Sequence, residues 1–144
     1  MTIKKAIQIS GTTNPFATES TKVAEDTLSA EENLLYAVNA NTLIVRVDKD
    51  IPRKINSVYF IQNCLNGVVA ITDKRVFFCN SSKGNSSITE ILRKDIASIE
   101  GKYSVLFATG TIRIVGRRDM IVLKLKRKAY KGFMTGLSDI RNAV

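Results

Sequence analysis

The sequence lacks histidine and tryptophan, and it has only two cysteines and two prolines in 144 residues. Without histidine, the commonest general base and metal ligand is missing, and Cys64 and Cys79 do not have the spacing of a metal site. A phosphate-binding loop needs a glycine where this chain has Ile96, before the pair Gly101-Lys102. These absences predict a protein that is not an enzyme and uses no cofactor and no metal. A serine or threonine nucleophile with a lysine or carboxylate base is left open.

Long apolar runs are also missing. No stretch approaches the ~20 apolar residues of a transmembrane span, and the opening MTIKKAIQIS lacks the apolar core of a secretory signal. We therefore expect a cytoplasmic protein. In that reducing compartment we expect Cys64 and Cys79 to be reduced and at least partly buried, with a single disulfide as the alternative.

Acidic residues are fewer than basic ones, 13 against 22, and the net charge is +9. Residues 1–66 are balanced, with seven of each sign, whereas residues 102–131 carry nine basic residues and one acid, Asp119. An excess confined to one region predicts attraction to an anionic partner, which can be nucleic acid, an acidic membrane surface or an acidic protein. The alternative is a surface that only keeps the protein in solution.

The central stretch Gly67–Cys79 predicts a β-hairpin. Its apolar runs at 68–71 and 76–79 contain β-branched or aromatic residues and are too short for helices. Between the runs, Asp73 favours a turn, and Lys74 and Arg75 keep the bend in water. We therefore expect a core hairpin with a solvated turn.

Before this hairpin, the pattern predicts an arm, two helices and a strand. Residues 1–17 have few large aliphatic side chains and a Ser-Gly-Thr-Thr-Asn-Pro loop signature, which indicates an arm that lies on the domain, pairs with a partner or is mobile. Thr18 is placed to cap a helix over 18–28, and a capping box from Ser29 to Glu32 predicts a second helix ending near Val38. The segments expected next are a strand at 42–47, a polar loop at 48–54 and a strand at 55–62.

After the hairpin, further strands lead to a last helix. The expected segments are a loop at 80–87, strands at 89–93 and 96–100, a turn at Gly101-Lys102, apolar runs at 105–107 and 111–115, a turn at 116–119 and a strand at Met120–Lys128. In that last strand Ile121, Leu123 and Leu125 face one way and the lysines face the other. The helical spacing of Phe133, Leu137, Ile140 and Val144 predicts a stripe that docks on the strands. Gly132 and Gly136 weaken this helix by roughly 1 kcal/mol each, so it depends on that docking.

The basic run 124–131 is the strongest candidate for a binding site. Its side chains surround the start of the last helix, where free backbone N–H groups and the positive end of the helix dipole favour an anion. Arg117 and Arg118 join this site only if their turn folds to the same end. The alternative is a solvated strand face whose charges discourage edge pairing. The predicted anion- or partner-binding residues are Arg117, Arg118, Lys124, Lys126, Arg127, Lys128 and Lys131.

Several motifs follow a pattern known from one family. A Gly, an apolar run, Thr, a polar residue, Lys, Arg and an apolar-aromatic run recur here as Gly67, Thr72, Lys74, Arg75 and Phe77-Phe78. The segments 89–92 and 95–99, and the hairpin turned by Gly116, are also typical. On these residues the chain resembles the bacterial pleckstrin-homology-like (PH-like) domains over residues 29–143.

The resemblance implies a mainly β (α+β) fold, a bent antiparallel β-barrel or sandwich of about seven strands closed by a C-terminal α-helix. Residues 1–28 would form an N-terminal arm and short helix, and residues 29–144 the PH-like domain. Lipid-binding relatives use basic residues in the loop between their first two strands. Here that loop holds Lys49, Arg53 and Lys54 against Asp48 and Asp50, which makes a poor phosphate cradle.

The sequence and the resemblance together predict a non-enzymatic binding or scaffolding module. A protein or peptide is the expected partner, since many domains of this fold bind one, and a second copy of the chain is a further candidate because some bacterial relatives self-associate. The alternative is electrostatic binding of an anionic lipid surface or nucleic acid through the basic region 113–131. Tyr130 is the one aromatic residue in the basic run 124–131, so that run offers no platform for stacking bases.

Overall fold

The computed structural model describes residues 1–46 and 61–142, whose strands form one antiparallel sheet. The loop predicted at 48–54 and most of the strand predicted at 55–62 lie outside the described residues. The strands are β1 (Leu34–Arg46), β2 (Ile61–Thr72), β3 (Arg75–Ser82), β4 (Asn85–Leu92), β5 (Ser98–Ser104), β6 (Thr109–Val115) and β7 (Asp119–Lys126). The helices are α1 (Ile3–Ser10), α2 (Thr18–Thr27) and α3 (Arg127–Asn142), with 3-10 turns at Pro15–Ala17 and Arg93–Asp95.

The sheet curls into a partly open barrel. Its strands are hydrogen bonded in the order β4-β3-β2-β1-β7-β6-β5. Gly116, just after β6, lies against Ile91 of β4, although five inter-strand spacings of about 4.8 Å would separate them by about 24 Å in a flat sheet. No ladder joins β4 to β5 in the part of the chain that the structure describes. The fold is therefore the predicted one, seven antiparallel strands with a C-terminal helix.

The inner face of the sheet packs on α3. Phe133, Leu137 and Ile140 are 0%, 1% and 0% exposed, so the predicted stripe of the last helix is buried. Gly132 has a low helix propensity but is required by the packing of α3 on β1. A side chain at this position would overlap the Tyr36 ring of β1, so glycine lets the helix axis approach the sheet.

The outer face of β1, β2 and β3 is covered by α1 and α2. Val68, Ala70, Phe77 and Cys79 point to this second layer, whereas Val69, Ile71, Val76 and Phe78 point to the inner core. Both runs of the central hairpin are therefore buried on two faces, which is why neither alternates with polar residues. The predicted hairpin forms as β2 and β3, with Val68 opposite Cys79 and Ile71 opposite Val76.

Residues 3–10 form a helix where the sequence indicated only an arm. Thr2 caps it by accepting a hydrogen bond from the Lys5 N–H at 3.1 Å, and Gly11 ends it with a left-handed φ of 74°. Ile3, Ala6 and Ile7 are buried on the sheet, a spacing of three and four residues that is typical of a helix. Of the three alternatives for the arm, the structure shows the one in which it lies on the domain.

The helix predicted from Ser29 to Val38 does not form. Glu32 accepts a hydrogen bond from the Ser29 N–H at 2.9 Å, as a capping box requires, but the chain turns and enters β1 at Leu34. Thr18 also fails as a cap, because Ala17 occupies that position and the Thr18 hydroxyl donates to the Pro15 carbonyl at 3.1 Å. The predicted helix over 18–28 is nevertheless present as α2.

One predicted loop is longer than the observed one, and one predicted turn is absent. The polar segment 80–87 is not a loop, because β3 and β4 continue through it around Lys83 and Gly84, whose φ angles are 52° and 81°. Positive φ at both central residues is the geometry of a two-residue hairpin. Gly101-Lys102 is not a turn either, since β5 runs on to Ser104.

The two cysteines differ in burial. Both are free, but Cys79 is buried and Cys64 is exposed. The prediction that both are at least partly buried is right for Cys79 and wrong for Cys64. Burial raises the pKa of the Cys79 thiol to about 11, which keeps it protonated at neutral pH.

Arg75 ties the central hairpin to the segment before β1. Its guanidinium donates to both oxygens of Glu32, at 2.7 and 3.2 Å, to Glu90 at 2.7 Å and to the Thr27 carbonyl at 2.8 Å. The Arg75 and Glu32 side chains are only 16% and 3% exposed, so the prediction of a solvated Arg75 is wrong. This bidentate pair draws Glu32 away from a helix and holds the end of α2 near β3.

We expect Phe133→Ala to lower the free energy of unfolding by roughly 3–5 kcal/mol, because it leaves a cavity between α3 and the sheet. Urea unfolding followed by circular dichroism measures the change. Thr135→Ala, an exposed position on the same helix, is the control and should change stability little. A Phe133→Ala midpoint equal to that of the parent would contradict the docking of α3.

Stability should fall in acid because of Glu32. Burial opposes its ionisation, but hydrogen bonds from Arg75, the Ser29 N–H and Thr72 outweigh burial and lower the pKa of this carboxyl below its ordinary value of 4.5. A depressed carboxyl pKa gives stability that is complete above 4.5 and is lost as pH falls through the folded-state pKa. Glu32→Gln should be less stable at neutral pH and lose less on acidification.

Urea midpoints measured across the acid range, with Glu31→Gln as the exposed control, test this expectation. An acid loss in Glu32→Gln as large as in the parent would assign the effect to other carboxyls. Glu19 is one of these, because hydrogen bonds from the Gly84 N–H, the Ser81 hydroxyl and the Lys83 N–H lower its pKa.

Candidate binding surface

The predicted basic residues lie at two ends of β7. Lys124 and Lys126 are in its second half, and Arg127, Lys128 and Lys131 are in the first turns of α3, all of them exposed. Arg117 and Arg118 precede β7, whose seven residue steps of about 3.3 Å span about 23 Å. The structure therefore brings five of the seven residues together and leaves the two arginines at the other end.

The surroundings of Arg117 and Arg118 contain acids. The depression that they line is also lined by Glu90, Asp95 and Asp119. Three carboxylates beside two guanidiniums make this region electrically mixed, so it offers no concentrated positive potential. Arg117 and Arg118 thus do not extend the positive surface at the start of α3.

Three lysines, Lys102, Lys124 and Lys126, lie on the outer face of β5, β6 and β7, and we call them the lysine row. Lys102 lies opposite Thr111, and Thr111 lies opposite Lys124. The next row toward the end of the hairpin is Ser104, Thr109 and Lys126. Residues directly opposite in a ladder share a face, so Lys102, Lys124 and Lys126 present three ammonium groups on one exposed surface.

The turn beyond this row is apolar and exposed. Val105, Leu106 and Phe107, which join β5 to β6, are 87%, 84% and 73% exposed. We call residues 105–108 the apolar tip. Thr109, the first residue after the tip, is paired with Lys126, so the apolar tip and the lysine row are adjacent.

The start of α3 is fixed beside the same hairpin. Tyr130 packs its ring on Gly110 and its hydroxyl on Gly101, and its centroid lies 5.5 Å from that of Tyr103. No acidic residue stands in the first turn of α3. The helix begins at Arg127, within the basic run 124–131. Tyr130, the aromatic residue of that run, packs on the sheet.

A trough separates the lysine row from the N-terminal segment. One wall consists of Lys124, Lys126 and Lys128, the other wall is the loop 10–15, and Asn39 of β1 lies between them. Its volume is about 480 Å³. At this point β1 and β7 part, and the Asn39 N–H donates instead to the Thr12 hydroxyl at 2.9 Å.

The sequence alone missed the apolar tip, Lys102 and Asn39. Residues 105–107 look like a strand in sequence, because three large apolar residues in a row favour a buried strand. The turn depends on Ala108, which adopts a positive φ of 52°. Alanine rarely adopts this conformation, so the sequence gives little indication of a turn at this position. Asn39 carries no local signal, since its role depends on loop 10–15.

No family model and no curated protein sequence matches this chain. Among solved structures, the chain is similar to the Vps36 N-terminal PH domain, with a TM-score of 0.49 and 12% sequence identity. The similarity covers 79% of this chain and 80% of that chain. The seven antiparallel strands and the C-terminal helix match the fold class that the resemblance to PH-like domains implied.

Two features are absent from the described residues, a membrane-spanning helix and a cluster of metal ligands. No helix in 1–46 or 61–142 is long and apolar enough to cross a bilayer. Within the same ranges, no three His, Cys, Asp or Glu side chains come together as a metal site would need.

Ala108→Gly should stabilise the hairpin that carries the apolar tip. An L residue at left-handed φ costs about 1–2 kcal/mol, which glycine removes. Glycine also raises the conformational entropy of the unfolded chain, and this offsets part of the stabilisation. We expect a net gain of roughly 0.5–1 kcal/mol in urea unfolding. Ala97→Gly, at an exposed position without positive φ, is the control and should not be stabilising. Equal loss in both variants would show that the tip adopts another conformation in solution.

Proposed function

We propose that this protein is a non-enzymatic binding module that docks on an anionic membrane surface through the apolar tip and the lysine row. The exposure of Val105, Leu106 and Phe107 carries the proposal. Large apolar side chains in a contiguous exposed group mark an interaction surface. A convex hairpin tip suits a bilayer, which yields to an inserted side chain, better than it suits a flat protein surface.

The two parts of the surface would act together. Burying a leucine or phenylalanine side chain contributes about 1.5–3 kcal/mol, and a lysine near an anionic leaflet contributes about 1 kcal/mol. Lys126 is paired with Thr109, the first residue after the apolar tip. Lys126, its chain neighbour Arg127 and Lys102 on β5 would meet headgroups while the tip enters the acyl region. Neither part alone gives stable attachment, because membrane anchoring usually takes two signals.

A protein or peptide partner is the second candidate, and one observation favours it. β5 is an edge strand, paired only with β6 in the described sheet, and α3 lies beside it through Tyr130 and Met134 on Gly101. An extended peptide, or a strand of a second copy, could add to such an edge.

We also propose a cytoplasmic location and a relationship to bacterial PH-like domains. The motif of Gly67, Thr72, Lys74 and Arg75 supports the relationship.

Vesicle sedimentation tests the membrane proposal. The parent should sediment with vesicles of phosphatidylcholine and phosphatidylserine and not with phosphatidylcholine alone. Leu106→Ser with Phe107→Ser should weaken partitioning by at least about tenfold. Reversal of Lys126, Arg127 and Lys128 to Glu should abolish it, because these exposed side chains supply the attraction.

The control reverses Lys4, Lys5 and Lys22 to Glu, which removes the same charge from the α1–α2 side and should matter less. Circular dichroism of each variant checks that the fold is kept. Binding to vesicles that is unchanged by the Ser variants would reject the apolar tip as an anchor. Capture of a protein that survives high salt and needs the β5 edge would favour the second candidate, and salt-labile capture of nucleic acid would favour the electrostatic alternative.

A further inference from the structure

We propose that the trough between β7 and loop 10–15 is a binding site for a phosphate group. Its lining includes three lysines, Lys124, Lys126 and Lys128, on one side of a cavity of about 480 Å³. The proposal does not rest on membrane docking. It rests on the chemistry of the lining residues and on one buried side chain.

That side chain is Asn39, which is only 8% exposed. Its Oδ1 accepts hydrogen bonds from the Asn66 amide at 3.2 Å and the Asn14 amide at 3.4 Å. Its Nδ2, a donor, meets no acceptor among the residues that the structure describes. Buried donors are nearly always paired, so an unpaired one beside a lysine-lined cavity points to an acceptor supplied by a ligand.

The orientation of the Asn39 amide is fixed by its neighbours. Asn14 accepts a hydrogen bond from the Phe16 N–H at its own Oδ1, at 2.9 Å, and so must turn its Nδ2 toward Asn39. Exchanging the oxygen and nitrogen of Asn39 would set its donor against the Asn14 and Asn66 donors. The unpaired group is therefore Nδ2, and the ligand atom that meets it must be an acceptor.

The sign of the trough is uniform. None of the described residues that line it is acidic. The cavity between α1 and α2, by contrast, sets Glu25 beside Lys4 and Lys22, and the depression at Arg117 contains three carboxylates. Asn39 also lines the cavity between α1 and α2. Of these three cavities, only the trough joins several lysines and Asn39 without an acidic residue in its described lining.

These features select phosphate among anions. Lysine ammonium groups bind phosphate as point charges, and a phosphate has enough oxygens to meet several ammonium groups and Asn39 at once. The opposite wall is already ordered, since the Ser10 and Thr12 hydroxyls are 2.6 Å apart and Gly11 turns the chain. The phosphate can belong to a free metabolite or to a lipid headgroup, because Lys126 also borders the apolar tip.

Titration with pyrophosphate, followed by calorimetry and by ¹H–¹⁵N spectra of the labelled protein, tests the site. We expect saturable binding that shifts the Asn39 side-chain amide resonance, which Asn39→Asp identifies by its loss. Lys124, Lys126 and Lys128 changed together to Gln should weaken binding by at least about tenfold. Lys5, Lys22 and Lys94 changed to Gln form the matched control and should leave binding unchanged.

Asn39→Asp keeps the acceptor for Asn14 and Asn66 but replaces the donor with a negative charge, so it should weaken pyrophosphate as strongly. If it fails to fold, the Gln triple variant, whose side chains are exposed, still decides the question. A second arm uses vesicles carrying a phosphorylated inositol lipid, and binding there without pyrophosphate binding would assign the phosphate to a headgroup. The Ser variants of the apolar tip should keep pyrophosphate binding, which separates this site from membrane docking. No saturable binding in either arm, or binding that leaves the Asn39 resonance unmoved, would overturn the proposal.

Discussion

Burial of the β2–β3 hairpin on both faces is the constraint on which the rest of the structure depends. Val69, Ile71 and Phe78 need cover on the inner side, and α3 with the curled sheet supplies it. Val68 and Phe77 need cover on the outer side, and α1 and α2 supply that. The N-terminal helices are thus a layer of the core, because without them a central pair of strands would expose an apolar face to water.

Arg75 converts this layering into one fixed arrangement. It leaves the hairpin next to Phe77, with its guanidinium 4.6 Å from the ring centroid, and binds Glu32, Glu90 and the Thr27 carbonyl. One side chain therefore joins the end of α2, the segment before β1, the hairpin and β4. A charge so little exposed is stable only with its partners, so these elements hold their positions together.

The half of the sheet formed by β5, β6 and β7 is buried on its inner face, whereas the central hairpin is buried on both faces. Its inner face packs on α3. The outer face near the apolar tip carries the lysine row, and none of the described helices packs over it. This asymmetry explains why Leu123 and Leu125 alternate with lysines while the central hairpin is apolar throughout. It also leaves the trough, because β7 separates from β1 where it turns into α3 and loop 10–15 fills only part of the gap.

The sequence by itself determined the features that local periodicity encodes. The central hairpin, the alternation in β7, the docking stripe of α3 and the mainly β class follow from spacing within a few residues, because side-chain direction repeats every two or 3.6 residues. Tertiary structure decided the rest. Glu32 of the Ser29–Glu32 capping box accepts its hydrogen bond but starts no helix, because it also binds Arg75, 43 residues away. The apolar tip is exposed because β5 and β6 pair as far as Ser104 and Thr109. The contacts of Asn39 come from residues 10–15, which are distant in sequence. These outcomes depend on which distant segments pack together. The free energy of such tertiary contacts exceeds the local helix and strand propensities that can be read from a sequence.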